Sequence, residues 1–573
     1  MSPLYPAART KISNLIQAIY KDSLDHSMME KFFRLIESNI RENVTCQLEQ
    51  WNEQDTVLIT YGNSIHAPEQ KPLKTLHTFL NKYLKGNITC VHILPFFPYS
   101  SDDGFSVIDY YKVNPGLGDW ENIQGIHQDF DLMFDLVINH VSKESEWFQN
   151  FLYRKDPGKD YFIEMNTEKD LSMVTRPRSS NLLTPFETKN GKKYVWTTFS
   201  EDQVDLDFSN PMVLYEMLKI LFFYIHKGAR IIRLDAIAYL WKKEGTSCIH
   251  LPETHMIVNL IRELAELVDP NTLILTETNV PNKENLSYFG PKYNEAHMIY
   301  QFSLPPLLLH ALHSGNSQHL SSWAQSIPET NGKGTYLNFT ASHDGIGVRP
   351  LEGILPDTEK NDLIQKMKDF GGYVSTKKNK DGTESPYEIN ITYFDALKGT
   401  SRGEDDFQIE RFICSQTIMM ALKGIPAFYI HSLLAKKNDH TNVEKQGKYR
   451  AINRSKLEFE EIKQRLSDPE SETNEVMMRL NQLIQIRQSL KVFHPDSQQM
   501  VFDFGEPLFA FKRISEEEEV LWNISNISSV AQTLNLSMLK FQDKIIDLIG
   551  NNQFRPDQMI KLHPYQTLWL KKL

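Results

Sequence analysis

From about residue 55 onward, short apolar runs alternate with longer stretches whose apolar residues recur at helical spacing. The runs fall at 57–61, 90–94, 133–138, 230–235, 273–277, 298–302, 336–340 and 426–430. Their length and their β-branched and aromatic content predict buried strands. The clearest helical stretches between them are 73–84, 211–226, 254–268 and 407–422. Eight strands separated by helices predict parallel βα units, and eight such units close naturally into a (β/α)₈ barrel, an α/β fold. A doubly wound open sheet is the rival. It would show a glycine-rich phosphate turn after an early strand, and Tyr61-Gly-Asn-Ser lacks that form.

The pattern differs at both ends. Ile12, Leu15, Ile16 and Ile19 share one helical face, and Ser27-Met-Met-Glu30 has the form of a capping box that opens a second helix. Residues 1–54 are therefore read as a helical extension packed on the main body, 55–496 as the barrel, and 497–573 as a small antiparallel β-domain. The last carries period-2 runs at 500–504, 508–512, 520–523, 533–536 and 567–570, after a helix at 473–492. Two intervals are too long for simple connections: 141–208 after the third strand and 345–405 after the seventh. Insertions at strand C-termini sit over the active face of a barrel. The second holds the polar tract Lys377-Lys-Asn-Lys-Asp-Gly-Thr-Glu-Ser-Pro386, expected to be a mobile turn.

Composition narrows the function classes. The 573 residues carry a formal net charge of -11, with 40% hydrophobic and 24% charged residues, an ordinary globular balance. An acidic chain without a basic stripe argues against a nucleic-acid partner. The most apolar helix, 213–225, is interrupted by Glu216 and Lys219, which argues against a membrane span, and no signal peptide is evident. Four scattered cysteines, Cys46, Cys90, Cys248 and Cys414, suggest neither a zinc site nor a disulfide framework. Reduced thiols in a cytoplasmic protein are the simplest reading.

Candidate chemistry gathers at strand ends. The third run ends Asp135-Leu-Val-Ile-Asn-His140, the fourth Arg233-Leu-Asp235, the fifth Thr276-Glu-Thr278, and Ser342-His-Asp-Gly345 comes after the seventh. Arg233 and Asp235 are two apart, so a strand points them to the same side, and a neighbouring cation favours an ionised Asp235. For that pair alone, a structural ion pair and a catalytic carboxylate are equally good readings. Four polar strand ends in chain order, all at the same end of the barrel, favour the second. Three carboxylates and two histidines with no metal trio suggest glycoside chemistry: an acid for the leaving oxygen and a carboxylate for the oxocarbenium-like carbon.

Arg233-x-Asp235, Glu277 and His343-Asp344, with Asp135 to His140 before them, resemble the ordered signature regions of the α-amylase superfamily. The resemblance implies Asp235 as nucleophile, Glu277 as general acid/base and Asp344 as transition-state stabiliser. Arg233 would hold Asp235 ionised, and His140 and His343 would bind the sugar. Ile59-Thr-Tyr-Gly62, His92-Ile-Leu-Pro-Phe-Phe-Pro98, Asp102-Asp-Gly-Phe-Ser-Val-Ile-Asp109, Gly245-Thr-Ser-Cys248 and His343-Asp-Gly-Ile-Gly-Val348 are similar to the sucrose phosphorylase group. There, residues matching Asp102 and Arg450 clamp one glucosyl unit, and an aromatic matching Tyr239 lines the cleavage point.

The chain departs from sucrose phosphorylases at Ser385 and Glu388, where Asp and Gln are associated with fructose. The extra helices, Arg176-Pro-Arg178, Ser385-Pro-Tyr-Glu388 and Tyr449-Arg-Ala-Ile-Asn453 look most like the glucosylglycerate phosphorylases. That implies reversible, retaining phosphorolysis of 2-O-α-glucosylglycerate to α-glucose 1-phosphate and glycerate. Sucrose phosphorolysis and α-glucoside hydrolysis stay as alternatives, and an accessory binding domain as a non-enzymatic one. The implied ligands are a sugar and inorganic phosphate, with no cofactor and no metal; a homodimer is compatible. Phosphate and glycerate are anions, and Arg176 and Arg178 are the candidates to meet them, beside Tyr387 and Glu388. Asn139 matches a calcium-binding position of many amylases, but the sucrose phosphorylase group generally lacks that ion.

Overall fold

The computed structural model describes residues 5–41, 44–46, 49–379 and 382–573. Its centre is a closed parallel barrel of β1 Val57–Thr60, β2 Cys90–Ile93, β3 Asp131–Val137, β4 Ala229–Asp235, β5 Leu273–Thr276, β6 Met298–Tyr300, β7 Thr335–Phe339 and β8 Ile425–Tyr429. Each strand pairs with its neighbours in chain order, and β8 closes on β1. All eight apolar runs become barrel strands. They are almost wholly buried because both faces are covered, by helices outside and by packed side chains within. Helices Pro72–Tyr83, Pro211–His226, Pro252–Val268 and Gln408–Ala421 match the helical stretches to within two residues at either end.

Helices α1 Pro6–Tyr20 and α2 His26–Glu37 lie against the outer ring of the barrel. Ile12, Ile16 and Ile19 of α1 and Phe32, Phe33 and Ile36 of α2 are at most 3% exposed, and each such side chain contributes roughly 1.5–3 kcal/mol on burial. Lys11 pairs with Glu263 on helix Pro252–Val268, and Phe32 meets Tyr215 on helix Pro211–His226 at 5.9 Å. The α2 cap differs from expectation. Asp25, not Ser27, is the N-cap, and its carboxylate accepts from the Met28 amide at 2.7 Å. Asp and Ser cap equally well, so the capping-box spacing alone could not choose between them. The described residues after α2, up to β1, carry no further helix.

The C-terminal sheet has six strands, in the order Gln498–Asp503, Leu508–Ile514, Val520–Asn526, Thr567–Lys572, Ile545–Asp547 and Asn552–Phe554. Gln532–Asn535 pairs separately with Met559–Leu562. The three strands between 545 and 562 gave no sequence signal because each has only three or four residues, too few to show a period.

The two long insertions form structure over the barrel mouth. The first carries helix Glu146–Tyr153 and a hairpin of Leu183–Thr188 with Gly191–Trp196. The second carries helix Asp357–Asp369 and a three-stranded sheet in which Glu384–Asn390 is central, between Ile346–Gly347 and Tyr373–Lys378. The polar tract expected to be a mobile turn is the turn of this last hairpin; Lys380 and Asp381 within it lie outside the described residues.

Candidate active site

The register of β3 and β4 sets Asp135 level with Arg233, and Val137 level with Asp235. Arg233 therefore reaches two carboxylates with one nitrogen. Its Nη1 donates to Asp135 and, at 2.8 Å, to Asp235. Asp135 also holds His92 at 2.7 Å, and all three partners of this cluster other than Asp235 are at most 3% exposed. Ala236, next after Asp235, is left-handed at φ +50°, a strained conformation for a residue with a Cβ. That turn aims the Ala236 amide at Glu277 Oε2, 3.1 Å away, so the ends of β4 and β5 bring Asp235 and Glu277 together.

Asp344, beyond β7, sits between two guanidiniums and an imidazole. Arg450 Nη1 is 2.6 Å from it, Arg454 Nη2 3.7 Å and His343 Nε2 3.5 Å. The His343 ring stacks on Phe105 at 4.8 Å and 3°. His140 Nε2 is held by the Phe105 carbonyl at 2.9 Å. Asp102 and Asp103 are both left-handed and precede Gly104 at φ +118°. A Cβ on Gly104 would lie 2.4 Å from the Pro95 carbonyl oxygen, so only glycine lets this turn sit against the end of β2. One cavity of about 650 Å³, its open mouth included, is lined by Asp102, His140, Arg178, Asp235, Tyr239, Glu277, His343, Asp344, Tyr387, Glu388 and Arg450. Such a volume suits a small polar ligand.

Burial pushes the Asp235 carboxyl up to about 7, against Arg233, and Glu277 likewise to about 7. The expected depression of Asp235 is therefore not found. Its partner cation is divided between two carboxylates, and desolvation outweighs the share that reaches Asp235. The two groups titrate as a coupled pair. Arg233 hydrogen-bonds Asp235 directly and reaches Glu277 only through space, where one backbone amide is the added donor, an asymmetry that favours the charge on Asp235 and the proton on Glu277. Burial acts to raise Asp344 too, but Arg450 overcomes it, with Arg454 and, at acid pH where its ring is charged, His343, and that carboxyl is held well below the usual range. His343 is driven down to about 3 by burial, so its ring is neutral at pH 7.

The structure adds partners to the expected residues and separates some of them. Asp102 and Arg450 line the same cavity, as two groups that clamp one sugar must, and Arg450 also grips Glu388 with two nitrogens, at 3.0 and 2.8 Å, while contacting Asp344. The cation in direct contact with the Asp102 turn is Arg454, 3.6 Å from Asp102 and 2.8 Å from Asp103, with Nη2 buried and lacking a hydrogen bond. Sequence reasoning passed over Arg454 although it directly follows the quoted Tyr449–Asn453 motif. Asn279 was also missed: it lines the cavity two residues after Glu277, with Oδ1 buried and unpartnered. Arg178 faces the cavity, 5.3 Å from the Tyr387 ring and 6.0 Å from Phe199. Arg176 does not; it lines a neighbouring cavity. At Asn139, the Lys242 ammonium donates to Oδ1 at 2.7 Å and pairs with Asp205 at 2.7 Å, filling the position matched to calcium with a side-chain cation.

Residues 80–345 match the family model described as alpha amylase, catalytic domain. A glucosylglycerate phosphorylase from Escherichia coli is 42% identical over 566 residues, 98% of this chain and 100% of the relative. One from Spirochaeta thermophila is 49% identical over 529 residues, 90% of this chain and 89% of the relative. Among solved structures, a sucrose 6F-phosphate phosphorylase from Thermoanaerobacter thermosaccharolyticum superposes with a TM-score of 0.73 at 26% identity, covering 90% of this chain and 99% of that one. The chain belongs to the glucosylglycerate phosphorylase family of the α-amylase superfamily and is an enzyme.

Proposed function

We propose that the protein catalyses the reversible phosphorolysis of 2-O-α-glucosylglycerate, giving α-glucose 1-phosphate and glycerate with retention. The observation that carries the reading is the pairing at the ends of β4 and β5: Asp235 on the Arg233 guanidinium, beside Glu277, in one cavity with Asp344. In the first step Asp235 attacks the anomeric carbon while Glu277 gives its proton to the departing oxygen of glycerate. A glucosyl ester on Asp235 results. In the second step a phosphate oxygen attacks that carbon, the Asp235 carboxylate leaves, and the phosphate proton returns to Glu277. Asp344 faces the sugar as a fixed negative charge, favouring the oxocarbenium-like transition state. Arg178 is the cation for phosphate or glycerate. Among the described residues its one hydrogen bond is a long contact to the Pro177 carbonyl, 3.4 Å, so its guanidinium is free for an anion.

Glu388, where the sucrose phosphorylase pattern has Gln, is buried and committed to Arg450, so it does not offer fructose the amide of that Gln. A neutral Gln there would leave Arg450 less firmly held, whereas the buried carboxylate fixes it by a two-point pair. The test is to offer α-glucose 1-phosphate with glycerate, fructose or glycerol in turn and measure phosphate release. Glycerate is expected to be preferred. Preference for fructose would overturn the acceptor, and glucose release independent of an acceptor would overturn phosphorolysis.

The coupled pair sets a pH dependence. Activity requires Asp235 charged, so it is lost as pH falls through the pair's lower titration. It requires Glu277 protonated, so it is also lost as pH rises through the upper one. With both carboxyls pushed up to about 7, kcat/KM for glucosylglycerate is expected to trace a narrow bell centred near neutrality. A plateau extending well into the acid range would contradict this assignment.

We also place the enzyme in the cytoplasm. Cys90, Cys248 and Cys414 are buried thiols, as expected of a reducing compartment, and among the described residues no helix is long and apolar enough to cross a membrane.

A further inference from the structure

The catalytic cavity has a basic neighbour. Arg176, Arg349, Lys377 and Lys378 line a separate cavity of about 910 Å³, its open mouth included, that no carboxylate lines among the described residues. It forms where the two insertions meet: Arg176 comes from the first, the other three from the second. The Arg176 stretch is pinned from behind, its Thr175 amide donating to the Ser247 carbonyl at 2.9 Å. Lys377 and Lys378 end the strand Tyr373–Lys378, whose partner strand Glu384–Asn390 carries Tyr387 and Glu388 into the catalytic cavity.

These cations are poorly neutralised. Arg176 Nε and Nη2 are buried from solvent without a hydrogen-bond partner, and so is Arg349 Nε. The nearest carboxylates stand at 3.9 Å: Glu352 from both Lys377 and Arg349, and Glu284 from Arg349. Burial, then the charge of Arg349, draws the Lys377 ammonium below its usual range. Guanidinium nitrogens buried without a partner cost free energy unless an anion satisfies them. Convergent Arg and Lys side chains present donors to the several oxygens of a phosphate.

We propose that this cavity is a second anion site, built for a phosphate group, either free inorganic phosphate or a small phosphomonoester. It is distinct from the site where phosphate would attack the glucosyl intermediate. Only the assignment of Arg178 to the catalytic anion rests on the proposed function; the second site stands on its own residues.

Equilibrium dialysis with inorganic phosphate counts the anions bound per chain. The wild type is expected to bind two, Arg176→Gln/Lys377→Gln one, and Arg178→Gln one. If phosphorolysis is the wrong reading, the wild type binds one, which Arg178→Gln keeps and Arg176→Gln/Lys377→Gln loses. Equal counts in the wild type and Arg176→Gln/Lys377→Gln overturn the second site. Lys378 is exposed, so Lys378→Gln should fold normally and weaken this one binding event severalfold; unchanged affinity there also counts against the site. Adding 3-phosphoglycerate to phosphate-loaded Arg178→Gln separates the two sources. Displacement at lower concentration than free phosphate itself requires assigns a phosphomonoester, and failure to displace assigns free phosphate.

Discussion

Asp235→Asn is expected to reduce turnover on every α-glucoside by on the order of 10⁴-fold or more, because the amide cannot form the covalent ester. The variant should nonetheless fold as well as the wild type. Asp235 is 7% exposed, and burial raises its carboxyl even beside Arg233, so the charge is held against desolvation. A neutral isostere removes that cost, and Arg233 keeps Asp135 as its anion. The thermal midpoint should therefore hold or rise while activity vanishes, the signature of a site that trades stability for chemistry. The rate and the melting curve together make the test. Phosphorolysis surviving in Asp235→Asn would remove the nucleophile assignment. A large fall in midpoint would mean that the Arg233–Asp235 pair is structural, the reading with which it began on equal terms.

The barrel was legible because each strand is a continuous apolar run, buried on both faces, with a helix-period stretch between. The carboxylates were legible for a related reason. A parallel barrel exposes all its strand C-termini at one mouth, so Asp235, Glu277 and Asp344 share a site once the strands are placed. Contacts made between loops were not. Arg454 meets Asp103 across 351 residues of chain, and no periodicity links them. Arg176 and Arg178 are two residues apart and would point the same way in a plain strand, yet the intervening Pro177 lies in irregular backbone and they enter different cavities. The pKa of Asp235 was misjudged because the sequence shows that Arg233 is near but not that Asp135 claims the same nitrogen. Local pattern reports elements and their ends; how a cation is shared is a property of the assembled mouth.

Glu277→Gln should separate the two halves of the reaction. With glucosylglycerate, loss of the general acid is expected to lower kcat by about 10²–10⁴-fold, since the glycerate alkoxide is a poor leaving group without a proton. With α-glucosyl fluoride, fluoride leaves without protonation, and the glucosyl ester on Asp235 should form at close to the wild-type rate. The fate of that ester then depends on the acceptor. Phosphate is already an anion and needs little base assistance, so it should discharge the ester in the variant, and α-glucose 1-phosphate should accumulate. Water is neutral and does need a base, so hydrolysis of the same ester should nearly stop. The ratio of phosphorolysis to hydrolysis from α-glucosyl fluoride is thus expected to rise in Glu277→Gln. A group that merely braced the Ala236 turn through its 3.1 Å contact would slow both substrates and both acceptors alike, and that outcome would remove Glu277 from the acid/base role.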